Sequence, residues 1–406
     1  MLFQTLDDKT ECVGVYADNQ LIFDPTGFPP ELNQTWKYAP YLRDLEVEYA
    51  SFYLEGKPLS EVIPEYLKDD WANASEKVVA FRRSLEIAQV DTYENCFFDL
   101  VPKRFLIEFC EVKNKITEYI LKNVQKPARY NFYKHVGMML DDLSHRKVTI
   151  DRQKITTYLQ SPKLKSHANN ILEANPYVKY NQFGTRTGRL TTKKGSVPIL
   201  TMNKEFRSAV KPQNDYYLEL DFNGAEVRTL LGLLGKEQPP GDVHDFHLNE
   251  IFTEVETRDQ AKVAFFAWLY GSRSAVIKSD VAKLTKFYEK DSLLEKYWDG
   301  NTVTTPFKKQ IPDTSKHHAL NYLIQSTAAE LTLKQALKLE YLLRKQSHGS
   351  HIAFLIHDAV VIDMKNEDDD LLKSLVALMS STNFGTFRVN IKKGKTLGSM
   401  KDIQIG

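Results

Sequence analysis

Tyr216-Tyr217-Leu218-Glu219-Leu220-Asp221 is an apolar, β-prone run that delivers a carboxylate at its end. A second delivery occurs downstream, where Ile352-Ala353-Phe354-Leu355-Ile356 and Val360-Val361-Ile362 flank His357-Asp358, the pattern of a hairpin with His-Asp at its tip. Carboxylates on adjacent strands suit two-metal phosphoryl transfer, because hard cations roughly 4 Å apart need rigid oxygen ligands if they are to clamp attacking and leaving oxygens together. Strand-end aspartates are a weak signal by themselves.

The segment between them strengthens it. Arg258-Asp259-Gln260-Ala261-Lys262-Val263-Ala264-Phe265-Phe266-Ala267-Trp268-Leu269-Tyr270-Gly271 has helical character with no breaker before Gly271, and Arg258, Lys262, Phe266 and Tyr270 recur every four residues. They form one slowly turning stripe of two cations followed by two aromatics, on a helix whose other faces are mostly apolar. A buried helix with solvated N-terminal cations would explain such a stripe in isolation. Beside the two aspartates it reads as a nucleotide platform, with cations for a triphosphate and rings for base and sugar.

These residues resemble the family A DNA polymerases. Asp221-Phe222-Asn223-Gly224-Ala225-Glu226-Val227-Arg228 is similar to motif A, Arg258 to Gly271 to motif B on the fingers helix, and His357-Asp358 to motif C. Thr187-Gly188-Arg189-Leu190-Thr191-Thr192 is similar to the family's TGRLSS element, Asp242-Val243-His244 to its Asp-x-His, and Asn321 with Gln325 to the helix along template and primer. The ordered elements span roughly residues 177 to 400, and their order makes the match specific where each alone would be weak.

The resemblance implies an α+β right-hand polymerase: a palm with an antiparallel sheet, helical fingers and a reduced thumb. It implies a template-directed DNA polymerase using two Mg²⁺ ions, with Mn²⁺ as a substitute. Asp221 and Asp358 would bind metal, with the Phe222 backbone adding a carbonyl. Arg258 and Lys262 would hold the triphosphate with His244 nearby, and Lys262 would donate a proton to leaving pyrophosphate. Phe266 and Tyr270 would pack on the incoming dNTP, and Glu226 would close the space beneath its 2' carbon. Arg189, Gln325 and His357 would touch the primer end and its minor groove, with Arg228 and Asn321 in support.

Departures are equally specific. Ala359 stands where motif C usually carries Glu, Gly224 where motif A often carries Gln, and His317 where the helix commonly has Arg. Between Asp151 and Tyr177 the chain is too short for the family's long helical thumb. Asn95-Cys96-Phe97-Phe98-Asp99 fits one pattern of 3'-to-5' exonucleases, whereas Asp44-Leu45-Glu46 fits another by letter only. The N-terminal region is therefore expected to be a degenerate or replaced exonuclease.

Composition bounds less. The chain has 406 residues, 42% hydrophobic and 26% charged, enough for a sizeable core and more than one domain. Its start lacks a signal pattern and no run is long enough to cross a bilayer, so a cytoplasmic protein is expected, in a host cell if compactness marks a phage or other mobile element. Cys12, Cys96 and Cys110 form no CxxC, which points to reduced thiols. The formal net charge is +1, but residues 1 to 70 hold 14 Asp and Glu against 5 Lys and Arg, while residues 103 to 165 hold 14 Lys and Arg against 6 Asp and Glu. The basic stretch, interleaved with aromatics as in Lys126 to Lys134, suits a phosphate backbone as well as it suits a solvated helix surface. The expected organisation is an α/β region over 1–100, a basic helical thumb-like or connecting region over 101–175, and palm and fingers over 176–406. Expected partners are primed DNA and dNTPs, for a monomer whose products stay short unless a processivity factor supplies a clamp. A single-subunit RNA polymerase shares the Lys-to-Tyr-Gly helix and the His-Asp turn, although Glu226 and Thr187-Gly188-Arg189 argue against it. A catalytically silent polymerase fold that binds DNA as a scaffold is favoured by Ala359 alone.

Overall fold

Asp18 and Asn19 both adopt left-handed backbone conformations (φ 46° and 62°), the geometry a two-residue hairpin loop needs and that Asp and Asn tolerate. They join β2 (Val15–Ala17) to β3 (Gln20–Ile22), and β1 (Phe3–Thr5) completes an antiparallel sheet in the order β1-β2-β3. The computed structural model describes residues 1–7, 14–92, 95–270 and 278–404, and the chain divides into two compact units, Met1–Arg146 and Lys147–Gly406.

In the first unit, the long helices are α1 (Glu65–Ile87), α2 (Lys103–Asn123) and α3 (Tyr130–Ser144). Phe105, Leu106, Cys110, Ile116 and Ile120 of α2 are buried, the stripe that helical periodicity dictates. Lys126 bonds the Glu48 carboxylate, Lys134 donates to the Val47 carbonyl at 2.7 Å, and Arg129 lies over Phe132 and Tyr133. The basic cluster is thus spent in part on fastening α3 to the segment around Glu48 instead of standing open. Asp44 and Glu46 sit in a turn and its exposed continuation, not on a strand, and Asp99 is exposed on a four-residue helix, Phe97–Leu100. The thiols are not all reduced as expected: Cys96 is disulfide-bonded, Cys110 is free and buried, and Cys12 lies outside the described residues.

In the second unit, α4 (Arg152–Thr156) and α5 (Lys165–Glu173) have 5 and 9 residues, so the segment between Asp151 and Tyr177 holds no long helical pair. Five strands form one antiparallel sheet: β4 (Tyr216–Phe222), β5 (His351–Ile356), β6 (Ala359–Met364), β7 (Val389–Gly394) and β8 (Lys401–Asp402), in the order β5-β6-β4-β7-β8. β4 is central and buried except at Glu219 and Asp221. Its apolar run therefore forms the core while its polar residues mark the working face.

The unit also holds helices α6 (Ala225–Leu233), α7 (Val243–Glu250), α8 (Arg258–Leu269), α9 (Lys278–Phe287), α10 (Lys290–Tyr297), α11 (Lys316–Gln346) and α12 (Leu372–Ser380). α11 has 31 residues, about 46 Å at 1.5 Å per residue, and packs on β5, β6, α6 and α12. Around α8, Phe265, Trp268, Leu284, Tyr288, Leu293 and Leu320 share a core that fixes this helical layer. The architecture is the expected α+β right hand, a palm-like antiparallel sheet with fingers-like helices. No described helix is long and apolar enough to cross a membrane.

Candidate active site

The sheet delivers both aspartates. Asp221 pairs with Ala359 of β6, and Asp358 occupies the turn that joins β5 to β6. His357 in that turn has φ 54°, a left-handed conformation uncommon for a residue with a Cβ and often stored at working sites. Burial, the neighbouring Asp358 and Glu219 push the Asp221 carboxyl up to about 6, while Lys392 and a hydrogen bond from Asn390 act against the rise. Burial also raises Asp358, opposed by Arg189 and His357. Carboxylates held together against their own repulsion are what a bound dication relieves.

Capping brings the helices to this edge. Thr257 and Gln260 form a reciprocal capping box at the start of α8 (Gln260 N to Thr257 Oγ1 3.3 Å, Thr257 N to Gln260 Oε1 3.2 Å). Asp242 caps α7 by accepting from the backbone N–H groups of His244 (2.8 Å) and Asp245 (3.2 Å). Its other oxygen accepts from Asn223 at 2.8 Å and Arg258 at 2.7 Å. Burial would raise the Asp242 carboxyl, but these donors hold it well below the usual carboxylate range. Asp242 therefore fixes the azimuth of Arg258. His244 is buried and pulled down to about 4 by burial, with Arg258 and Lys262 adding to the effect, so its imidazole is neutral at pH 7. Phe266 and Tyr270 stack with ring centroids 5.7 Å apart and planes 22° off parallel.

Glu226, buried in the first turn of α6, bonds Arg189 and accepts from the Tyr270 hydroxyl at 3.2 Å. Burial raises its carboxyl, opposed by Arg189. Tyr270 is pushed up to about 12 by burial and Glu226, with the neighbouring Gln325 side chain acting against the rise. Gly224 precedes α6 with φ 67°, and a Cβ there would lie 2.4 Å from Val243 Cγ2. The departure from Gln in motif A thus has a steric reason in this chain.

A cavity of about 320 Å³ collects most of the candidates. Asp221, Phe222, Glu226 and Asp358 line its palm side, Arg258, Lys262, Phe266 and Tyr270 its helical side, and His244 and Arg189 complete the set. Four candidates fall outside it. His357 lines a water-sized cavity next door that shares Arg189 and Asp358, Gln325 reaches the site through Tyr270, and the Asn321 Oδ1 atom is buried with no hydrogen-bond partner. Arg228 is buried behind the site. Its guanidinium donates to the carbonyls of Asn223 (2.7 Å), Pro239 (2.9 Å) and Gly241 (2.7 Å). Gly271 lies outside the described residues. Asn223, Asp242 and Asn390 join the site without a sequence pattern that assigns them a role, apart from the N-cap signal at Asp242.

The chain's sequence is 22% identical over 307 residues to DNA polymerase I of Chloroflexus aurantiacus, covering 62% of this chain and 33% of that protein. It is 22% identical over 246 residues to DNA polymerase I of Geobacillus stearothermophilus (49% and 28%) and 23% over 290 residues to that of Lactococcus lactis (59% and 33%). The polymerase domain of Pol1 from M. smegmatis, solved in complex with DNA primer-template and dNTP, superposes with a TM-score of 0.57 at 12% identity, covering 73% of this chain and 76% of that one. The chain has the fold of the Pol1 polymerase domain. It spans about a third of the length of the curated relatives it matches. No protein-family model matches it.

Proposed function

We propose that the chain is a template-directed DNA polymerase that adds dNMP to a primer 3'-hydroxyl. One observation carries this reading: Asp221 and Asp358 line the same cavity as Arg258, Lys262, Phe266 and Tyr270, so carboxylates for dications face a helix suited to a nucleoside triphosphate. The donor set fits Mg²⁺, since burial raises both carboxylates, the charge of Asp358 raises Asp221 further, and bound cations would relieve both. Asp221 and Asp358, with the Phe222 carbonyl, would hold the ions, which when bound lower the charge on the reacting phosphate and activate the 3'-hydroxyl. As the 3' oxygen bonds to the α-phosphorus, the bond to pyrophosphate breaks and the hydroxyl proton leaves to solvent. Lys262 supplies the leaving pyrophosphate with a proton, and Arg258, aligned by Asp242, binds its oxygens. His244, neutral, donates a hydrogen bond without adding charge. Phe266 and Tyr270 carry the base, and Glu226, pinned by Arg189 and Tyr270, excludes a 2'-hydroxyl. Arg189, His357 and Gln325 face the primer end, with Arg228 and Asn321 behind them.

The Glu226–Tyr270 bond favours this reading over an RNA polymerase, which must admit that hydroxyl. Ala359 supports a second reading, a silent DNA-binding scaffold. A labelled primer on a template with Mg²⁺ and dNTPs, rNTPs or no nucleotide separates the three: extension with dNTPs alone is expected, preference for rNTPs favours the RNA polymerase, and tight binding without extension favours the scaffold.

A further inference from the structure

A row of three side chains crosses the working face of the sheet. Asp221 of β4 pairs with Ala359 of β6 on one side and with Asn390 of β7 on the other. Directly paired residues of antiparallel strands project from the same face, so Ala359, Asp221 and Asn390 stand side by side. Asp221 and Asn390 line the cavity, and the Asn390 side chain, set against the Asp221 carboxylate by the strand register, favours its ionised form.

The supply of charged ligands at this edge is thin. Among the described residues, no group of three or more His, Cys, Asp or Glu is placed to hold a metal ion. Ala359 offers a methyl group. Two positions along β4 on the same face, Glu219 is occupied by Lys392 of β7 at 2.8 Å. Asn390 is thus the polar side chain that β7 brings directly against Asp221.

We propose that Asn390 is a positioning residue for the metal-binding carboxylate: its amide N–H fixes the Asp221 carboxylate in the rotamer that faces the cavity, on the flank opposite Ala359. This rests on the polymerase reading above for the identity of the metal site. Hydrogen-bond partners that orient a metal-ligating group are typically worth about 10- to 100-fold in metal affinity. An orphaned two-carboxylate site should be at the sensitive end of that range.

Mn²⁺ titration of the full chain, with free Mn²⁺ read by electron paramagnetic resonance, tests it without turnover. Asp221→Asn locates the site and should abolish the tight class of binding. Asn390→Leu should weaken that class by at least about tenfold, and Asn390→Ser, which keeps a donor, should lose less. Circular dichroism verifies that each variant is folded, and if Asn390→Leu is not, the Asn390→Ser comparison decides. Wild-type Mn²⁺ affinity in the folded Asn390 variants, or tighter binding in Leu than in Ser, would overturn the assignment. Failure of the wild type to extend a primer would instead overturn the polymerase reading, and the Mn²⁺ comparison would still decide the role of Asn390.

Discussion

Arg228→Met removes one buried side chain that the site leans on without touching. Arg228 is 0% exposed, and its loss strips a donor from the carbonyls of Asn223, Pro239 and Gly241. The Asn223 carbonyl is buried and those of Pro239 and Gly241 are partly so, and a buried acceptor left unpaired costs about 1–3 kcal/mol. Met is close in length but brings no donor, and removing a buried cation returns part of the loss, so the net destabilisation should be about 3–5 kcal/mol. At roughly 2–4 °C per kcal/mol, the transition of the second unit should fall by roughly 6–20 °C. Calorimetry and urea titration of the full chain measure this. Function should suffer even where the fold holds: Asn223 and Gly241 are neighbours of the Asp242 network through Asn223 Nδ2 at 2.8 Å, so Arg258 loses its alignment and KM for dNTP should rise. Arg228→Lys keeps the charge, but one ammonium group cannot span three carbonyls in a plane, and an intermediate loss is expected. A change below about 1 kcal/mol for Arg228→Met would mean that these carbonyls find other partners and that the loop is not held from Arg228.

Asp221→Asn and Asp358→Asn should leave folding and DNA binding nearly intact while primer extension falls by orders of magnitude, because a neutral amide is a poor Mg²⁺ ligand; substantial extension by Asp221→Asn refutes the metal assignment. Glu226→Ala should raise rNTP incorporation relative to dNTP, measured by competitive single-nucleotide insertion, and an unchanged ratio places sugar discrimination elsewhere. His247 is pulled down to about 3 by burial, stacks on Phe265 at 4.8 Å and has an Nδ1 atom with no partner. The folded imidazole thus stays neutral where the unfolded one, with its pKa of 6.5, takes a proton. Its contribution to stability is complete above that pH and is lost on acidification by about 1.4 kcal/mol per pH unit until the folded value is reached. His247→Phe should flatten the decline in urea midpoint between about pH 6 and about pH 4; an unaltered slope assigns the acid sensitivity to other groups.

Legibility followed the range of the interactions. Asp221, Asp358 and the Arg258–Tyr270 stripe could be read because a strand end and a four-residue repeat are local patterns. The capping box of Thr257 and Gln260 was also local and would have marked where α8 begins. Asn390 could not be read, since its role depends on β7 returning to pair with β4 in a register that sets it against Asp221. Gly224 looked like a lost Gln until its φ of 67° and the 2.4 Å approach to Val243 supplied a reason. Counting charges also misled. Lys126 belongs to a basic stretch in sequence, yet its partner is Glu48, 78 residues away, so a charge tally cannot say which lysines remain for a phosphate backbone.

The same pairing of charges sets what the proposed active site can recognise. Arg258 is held by Asp242 at 2.7 Å, Arg189 by Glu226, and Lys392 by Glu219 at 2.8 Å. Lys262 lines the cavity and makes no ion pair among the described residues. A triphosphate entering alone would gain Lys262 and the open edge of Arg258, but would meet the carboxylates of Asp221 and Asp358 across the same space. A dication turns that repulsion into a bridge, because the carboxylates and the phosphate then share its charge. Nucleotide binding and metal binding should therefore be coupled on this scaffold, each raising the affinity for the other by the same factor. The cation–carboxylate pairs strengthen the coupling: they hold Arg258, Arg189 and Lys392 to fixed partners, so Arg189 and Lys392 offset the negative charge of Asp358 and Asp221 only in part and the incoming metal supplies the rest.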